Sequence, residues 1–303
     1  MAEMTAKMRP AGDVAYRASL PRLGFFAALP AVCLLASCRA AGVLDPQGPV
    51  AAAERLILIN ATAIMLVVVL PVVVLTLAFA WWYRASNPRA TYRPNWSYSG
   101  HIELVTWSIP AMIVILLAAV AWIGSHDLDP PRKLQSDIRP LRIEVVSLDW
   151  KWLFIYPEQQ IAAVNQLVIP AGTPVEFILT SASVMNSFFV PQLGSQIYTM
   201  PGMMTRLNLL AEHPGDYPGL SANFSGDGFS DMRFLVHAVT ASEFEIWLAH
   251  TRQDGSTLNA EAYSQLATGG VAAVRSYGGV DPELFERIVR PRAPLTVAPR
   301  TEQ

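Results

Sequence analysis

Cysteine is scarce in this 303-residue chain: there are two, Cys33 and Cys38, and none follows. Everything after residue 38 therefore has no partner for an internal disulfide and no thiolate for a metal. Histidine is scarce too. The five residues His101, His126, His213, His237 and His250 lie at no metal-ligand spacing. Charge is also low, at 15% of residues with a net charge of −2, so there is no basic surface for a nucleic acid and no nucleic-acid-binding motif. Against these shortages stand 52% hydrophobic residues and a mean hydropathy of +0.31. That balance is too apolar for an ordinary soluble domain and too mixed for a pure membrane bundle. No internal repeat or low-complexity run is present.

The N-terminus reads as an address. Residues 1–22 carry Lys7, Arg9, Arg17 and Arg22 against Glu3 and Asp13, and the apolar stretch LGFFAALPAVCLL follows, of signal-peptide length and too short to span a bilayer. It ends in LASC, Leu35 to Cys38, which resembles the lipobox of bacterial lipoproteins. The expectation is a lipoprotein signal peptide over 1–37, with Cys38 acylated as the new N-terminus and Cys33 discarded. A chance cysteine behind a generic signal or anchor is the alternative. Residues 38–55 would then form a short periplasmic segment.

Two further runs are long enough to cross a membrane. Residues 56–83, LILINATAIMLVVVLPVVVLTLAFAWWY, carry no charge over more than the roughly 20 residues a spanning helix needs. Pro71 removes one helical hydrogen bond and predicts a kink. Residues Leu104 to Ser125 are likewise uncharged, with Pro110 near their start. A transmembrane hairpin over 56–125 is expected, with Trp81, Trp82, Tyr83, Trp107 and Trp122 as interfacial anchors. The loop 84–102 holds Arg84, Arg89 and Arg93 without an acid, which suits the cytoplasmic side. Because acylation takes place on the outer face, two spans after Cys38 return the chain to the periplasm. The expected location is thus a bacterial inner membrane, as a multi-pass lipoprotein with a large periplasmic domain.

From 126 to 239 the pattern turns to β. LRIEVV and TRLNLL alternate or nearly alternate, VEFILT and RFLVHAV are rich in strand formers, and Pro/Gly turns separate them, which suggests a sandwich or barrel. Alternation in DWKWLFIYP puts Trp150, Trp152, Phe154 and Tyr156 on one strand face, opposite Asp149 and Lys151. That face is either core or, at Trp150 and Trp152, a contact with another subunit. MPGMM, Met200 to Met204, carries the same ambiguity. Residues 240–303 read as a helical extension of short surface helices, from ASEFEIWLAHTRQ, GSTLNAEAYSQLA and DPELFERIV.

The hairpin, the β domain and the runs DWKWLFIYP, SVMNSFFVP, LGSQIYTMPGM and SANFSGDGFSDM together resemble subunit II of the haem-copper terminal oxidases, most nearly that of the cytochrome bo-type ubiquinol oxidases. The likeness runs from the lipobox to about Val239. It implies a two-helix transmembrane hairpin, then an all-β cupredoxin-like periplasmic domain, with the short helical extension beyond it. Copper-bearing members hold two coppers with a histidine from one loop and C-x-E-x-C-x3-H-x2-M from another. Laid on Met232, that spacing puts Ser221 and Ser225 at the thiolate positions, Asn223 at the glutamate and Phe229 at the second histidine, while Asn186 replaces the first histidine. Electron-transfer copper needs soft thiolate and imidazole donors, and a serine hydroxyl is hard and un-ionised near neutral pH. A cytochrome c oxidase subunit therefore fails on its thiols, and Met232 alone reads as a packed side chain.

The resemblance implies that this chain binds no cofactor of its own, with haems and copper in partner subunit I and ubiquinol as the substrate of the complex. Subunits I, III and IV and membrane lipid are the implied partners. It also puts Glu103, the only carboxylate between Glu54 and Asp127, at the mouth of the proton path called the K-channel. An interfacial acid supporting a helix start is the other reading of Glu103. A membrane-tethered cupredoxin-like lipoprotein acting without an oxidase is the rival to the whole assignment.

Overall fold

The computed structural model describes residues 42–253 and 255–290. The expected signal segment, both cysteines and residues 291–303 lie outside the described residues.

Two helices come first, α1 over Pro49–Trp82 and α2 over Gly100–Asp127. α1 starts seven residues before its uncharged run, because Pro49 suits the first helical position and AAAERL is built of helix formers. It continues through Pro71 without a break. The helices are in contact, and Ile57, Ala61, Ile64 and Val68 of α1 and Ile113, Leu117, Val120 and Gly124 of α2 are among the residues least open to their surroundings. A Cβ on Gly124 would lie 2.8 Å from Ile57 Cδ1, so the closest approach depends on glycine. Elsewhere the hairpin exposes Leu, Val, Ile and Trp all round, as expected of a protein whose spans are covered by lipid or neighbouring helices.

Ten strands build the β domain: β1 Leu141–Leu148, β2 Lys151–Tyr156, β3 Ile161–Val164, β4 Gln166–Pro170, β5 Val175–Ser181, β6 Asn186–Phe189, β7 Ile197–Thr199, β8 Thr205–Leu209, β9 Gly215–Ser221 and β10 Arg233–Val239. They form two facing sheets, β3-β2-β1-β5-β8 and β4-β10-β9-β6-β7, with β1–β5 and β4–β10 parallel and the remaining neighbours antiparallel. This is the cupredoxin-like sandwich. Its core is aromatic: Trp152 meets Phe188 edge-on at 5.4 Å, and Phe188 stacks on Phe234 at 5.0 Å. Each such side chain withdrawn from water stabilises the fold by about 1.5–3 kcal/mol.

The hairpin is tied to the β domain at one end. Gln47 N–H donates to Gln192 O at 2.7 Å, Asn208 Nδ2 donates to Pro131 O at 3.1 Å, and the Ser195 hydroxyl donates to the Glu54 carboxylate.

The extension holds the short helices expected of it, with short strands between them that were not expected. After α3, Ala241–Gln253, come β11 Thr257–Leu258, α4 Ala260–Ala267, β12 Arg275–Tyr277, β13 Gly279–Val280 and α5 Leu284–Val289. β12 adds a sixth strand beside β3. Leu258, Tyr263, Tyr277, Leu284, Phe285, Ile288 and Val289 cover the outer face of the first sheet, where Val146, Leu153, Ile155 and Ile178 would otherwise meet water. The reason is legible afterwards: that sheet is apolar on both faces, so β1 and β2 are buried almost throughout, and a second layer is required. Lys151, expected on a solvent face, is buried with its ammonium donating to Leu266 O at 2.9 Å and Thr268 O at 2.7 Å. Burial pushes its pKa down, against the opposing pull of the nearby Asp149 carboxylate.

Candidate functional site

The residues aligned with copper ligands gather at one end of the sandwich, because β6 begins and β9 ends there as antiparallel neighbours, with Phe188 opposite Ser221. Ser221 Oγ donates to Asn186 Oδ1 at 3.0 Å, and both residues are buried. Asn186 Nδ2 donates to Val184 O and Asn223 Nδ2 donates to Met185 O, each at 3.3 Å. Met232, 1% exposed, lies beside them through the bond from Ser221 N–H to its carbonyl at 3.1 Å. Thus Asn186, Ser221, Asn223 and Met232 form one closed polar knot over the apolar core. Deeper still, Ser147 Oγ and Thr199 Oγ1 share a hydrogen bond at 2.8 Å.

Ser225 and Phe229 lie on the same loop but do other things. The Ser225 carbonyl accepts from Trp150 Nε1 at 3.2 Å, while its hydroxyl is buried with no partner among the described residues. Phe229 packs edge-on against Phe224 at 5.6 Å, and Phe224 is 75% exposed. Trp150 explains why this loop is made of small residues. It ends the two-residue turn between β1 and β2 at φ 64°, a conformation that costs a non-glycine residue about 1–2 kcal/mol. Its indole then lies flat on Gly226 and Gly228, where a Cβ on Gly228 would come within 2.4 Å of the ring. The small-residue loop is a bed for a tryptophan.

This geometry corrects the strand-face expectation. The alternation holds for Trp152, Phe154 and Tyr156, all buried in the main core, and breaks at Trp150, which the turn throws onto the loop. Trp152 has no exposed surface to give another subunit; Trp150 is half-buried. Residues that sequence reasoning missed are Asn165 and Lys151. Asn165 sits at φ 56°, accepts from Trp152 N–H at 2.8 Å and donates to Ala272 O at 2.7 Å, tying β2 to the extension. An asparagine between two short strands was the available signal.

Around the knot the surface is apolar. Val184, Met185, Met203, Met204 and Phe224 are all exposed, and the β7–β8 loop joins this end through the Thr180 hydroxyl, which donates to Met200 O at 3.3 Å. Glu103 stands apart. It lies in the first turn of α2, exposed and without an ion pair among the described residues, about 35 Å along the helix from Asp127.

The donor set does not fit an electron-transfer copper. The Ser221 proton is already donated to an amide oxygen, Asn186 offers an amide where an imidazole would be needed, and no thiolate is available after Cys38. Among the described residues no group of three or more His, Cys, Asp or Glu could hold a metal ion.

Comparison with known proteins agrees with this architecture. Residues 137–239 match the family model of the cytochrome c oxidase subunit II periplasmic domain. The chain is 47% identical over 272 residues to a ubiquinol oxidase subunit 2 of Acetobacter aceti, covering 89% of this chain and 88% of that one. It is 50% identical over 248 residues to a cytochrome bo(3) ubiquinol oxidase subunit 2 of Pseudomonas aeruginosa, covering 82% and 75%. A quinol oxidase subunit 2 of Bacillus cereus is 36% identical over 250 residues, covering 80% and 86%. With a subunit II fold, serine and asparagine at the ligand positions, and such identity along nearly the whole length of its relatives, this chain belongs to the ubiquinol oxidase subunit 2 family.

Proposed function

We propose that this chain is the non-redox subunit II of a proton-translocating ubiquinol oxidase that reduces oxygen to water, with electrons entering from quinol in the bilayer and not through the β domain. The observation that carries the reading is the knot of Ser221, Asn186 and Asn223, whose hydroxyl and amide groups are bonded to each other or to neighbouring backbone carbonyls where a copper relay would need thiolates and imidazoles. A free-standing electron carrier would need a redox centre that this loop cannot build.

In this reading residues 1–37 are removed, Cys38 is acylated, 38–55 and everything from 126 onward are periplasmic, and the hairpin over 56–125 joins the complex in the inner membrane. Haems and copper reside in subunit I, with subunits III and IV completing the assembly. The exposed Met185, Met203 and Phe224 around the knot suit a contact with subunit I, since apolar surface at the core of an interface is what association removes from water. Glu103, at the cytoplasmic start of α2, would collect protons for a channel in the partner, a role that the helix N-terminus favours for a carboxylate.

Copper loading of the purified full-length chain tests the donor argument. The expected outcome is no stoichiometric copper and no thiolate-copper absorption. Such an absorption, at one centre per chain, would overturn it.

A further inference from the structure

The start of α1, the end of α2 and the segment after it line an open cavity of about 220 Å³ against β8, with Val50, Leu128 and Leu207 among its apolar lining. Its depth is set by the sequence. The uncharged run of α2 ends at Ser125, and Asp127, which lines the cavity, follows two residues later, about 3 Å along the helix, while each polar layer of a bilayer is roughly 5–8 Å thick. Trp122, exposed five residues before the end of α2, marks the same interface. The cavity therefore opens at headgroup level. It is smaller than the roughly 300–1,000 Å³ of sites that engulf a whole small molecule, which rules out a quinol ring with its tail.

Charge on its rim is paired in one place and unpaired in two. Arg132 Nη1 donates to the Asp127 carboxylate at 3.0 Å and to the Asp127 and His126 carbonyls at 3.2 and 3.4 Å, so it is committed to closing the last turn of α2. Lys133 and Asp129 also line the cavity, and neither has an ionic partner among the described residues. One free cation and one free anion beside apolar side chains match a zwitterionic headgroup, which phospholipid supplies at that depth.

We infer that this cavity holds the headgroup of a zwitterionic phospholipid of the outer leaflet, with phosphate on Lys133 and ammonium on Asp129. The lipid would brace the joint between hairpin and β domain, and the inference rests on the reading that α1 and α2 span the membrane.

The lysine count makes a direct test available. The chain has three lysines, Lys7, Lys133 and Lys151, and Lys151 is buried on two carbonyls. Amine acylation of the assembled oxidase, read site by site by mass spectrometry, therefore reports on Lys133, with slow Lys151 labelling as the control for an intact fold. Three samples are compared: nanodiscs of phosphatidylcholine, whose quaternary ammonium the reagent cannot acylate, nanodiscs of an uncharged glycolipid, and delipidated complex in detergent with millimolar inorganic phosphate. Quinol oxidation and haem spectra in each sample report separately on the membrane and oxidase reading. The expected result is Lys133 labelling about tenfold slower in phosphatidylcholine than in the other two, as for a site roughly nine-tenths filled. Asp129→Asn should relax this protection severalfold in the intact complex. Equal labelling in all three samples would overturn the site. Equal protection by phosphate in detergent would show an anion site with no call for a lipid, and slow labelling in every sample would mean that protein covers Lys133; either overturns the inference.

Discussion

At the scale of single residues, Trp150 and the glycines beneath it explain the loop better than any lost metal does. The turn forces Trp150 to φ 64°, and the indole recovers that cost by lying on Gly226 and Gly228 with its N–H on Ser225 O. Gly228→Ala puts a methyl within 2.4 Å of the ring, so the ring must leave its bed. The expected cost is about 1–3 kcal/mol of stability, seen as a lower melting temperature and a red-shifted tryptophan emission. Pairing it with Trp150→Ala should return most of the loss from the glycine change, because the two act through one contact. Quinol oxidation by the assembled variant should be unchanged under the proposed reading, in which electrons enter from quinol and not through this loop. Additive losses in the double variant would show that the contact is not what the glycines are for.

At the scale of elements, the C-terminal extension is the part whose role the sequence concealed. Its helices were visible from their start residues, and Asn259 does cap α4, accepting from Ala262 N–H at 2.9 Å. Its purpose was not, because amphipathic helices on a surface and helices roofing a sheet carry the same apolar stripe. The clue lay in the strands: IEVVSL and WLFIY lack the polar alternation of a sheet that faces water, so the first sheet had to be covered on both sides. Lys151 hid the answer, since one lysine between two tryptophans reads as a solvent-facing residue until the carbonyls of Leu266 and Thr268 are seen around it. Phe285→Ala, at the centre of the roof, should cost about 3–5 kcal/mol and lower the level of folded subunit in the membrane. An unchanged melting temperature would mean that the roof adds nothing. The positions of the ligand knot, by contrast, were legible from spacing alone, since Ser221, Asn223 and Met232 come from one contiguous loop and Asn186 from the strand beside it. Trp150 was not, because alternation is blind to a turn residue in the left-handed region.

α2 carries the proton argument. A carboxylate at a channel mouth raises proton supply, whereas alanine leaves water and dipoles to do so. Glu103→Ala should slow oxygen reduction severalfold without altering haem spectra or subunit content, and Glu103→Asp should keep more of the activity. Quinol-driven oxygen uptake by the assembled variants across pH measures this. Equal turnover in all three would return Glu103 to an acid that supports a helix start.

At the scale of the whole molecule, a hairpin of bare apolar helices, a roofed β sandwich and an apolar rim around a closed polar knot describe a subunit built to be covered by others. The hairpin exposes apolar faces along its length, and Met185, Met203 and Phe224 are exposed around the knot. In the proposed reading electrons do not pass through the β domain, because Ser221 is bonded to Asn186 and Asn223 to a backbone carbonyl where a copper site would need thiolates and imidazoles. The donor of the assembled enzyme tests this most directly. Oxygen uptake by the purified complex is measured with ubiquinol and, separately, with reduced cytochrome c as the only electron source. The account predicts sustained uptake with ubiquinol and none above background with cytochrome c; sustained uptake from cytochrome c would contradict it.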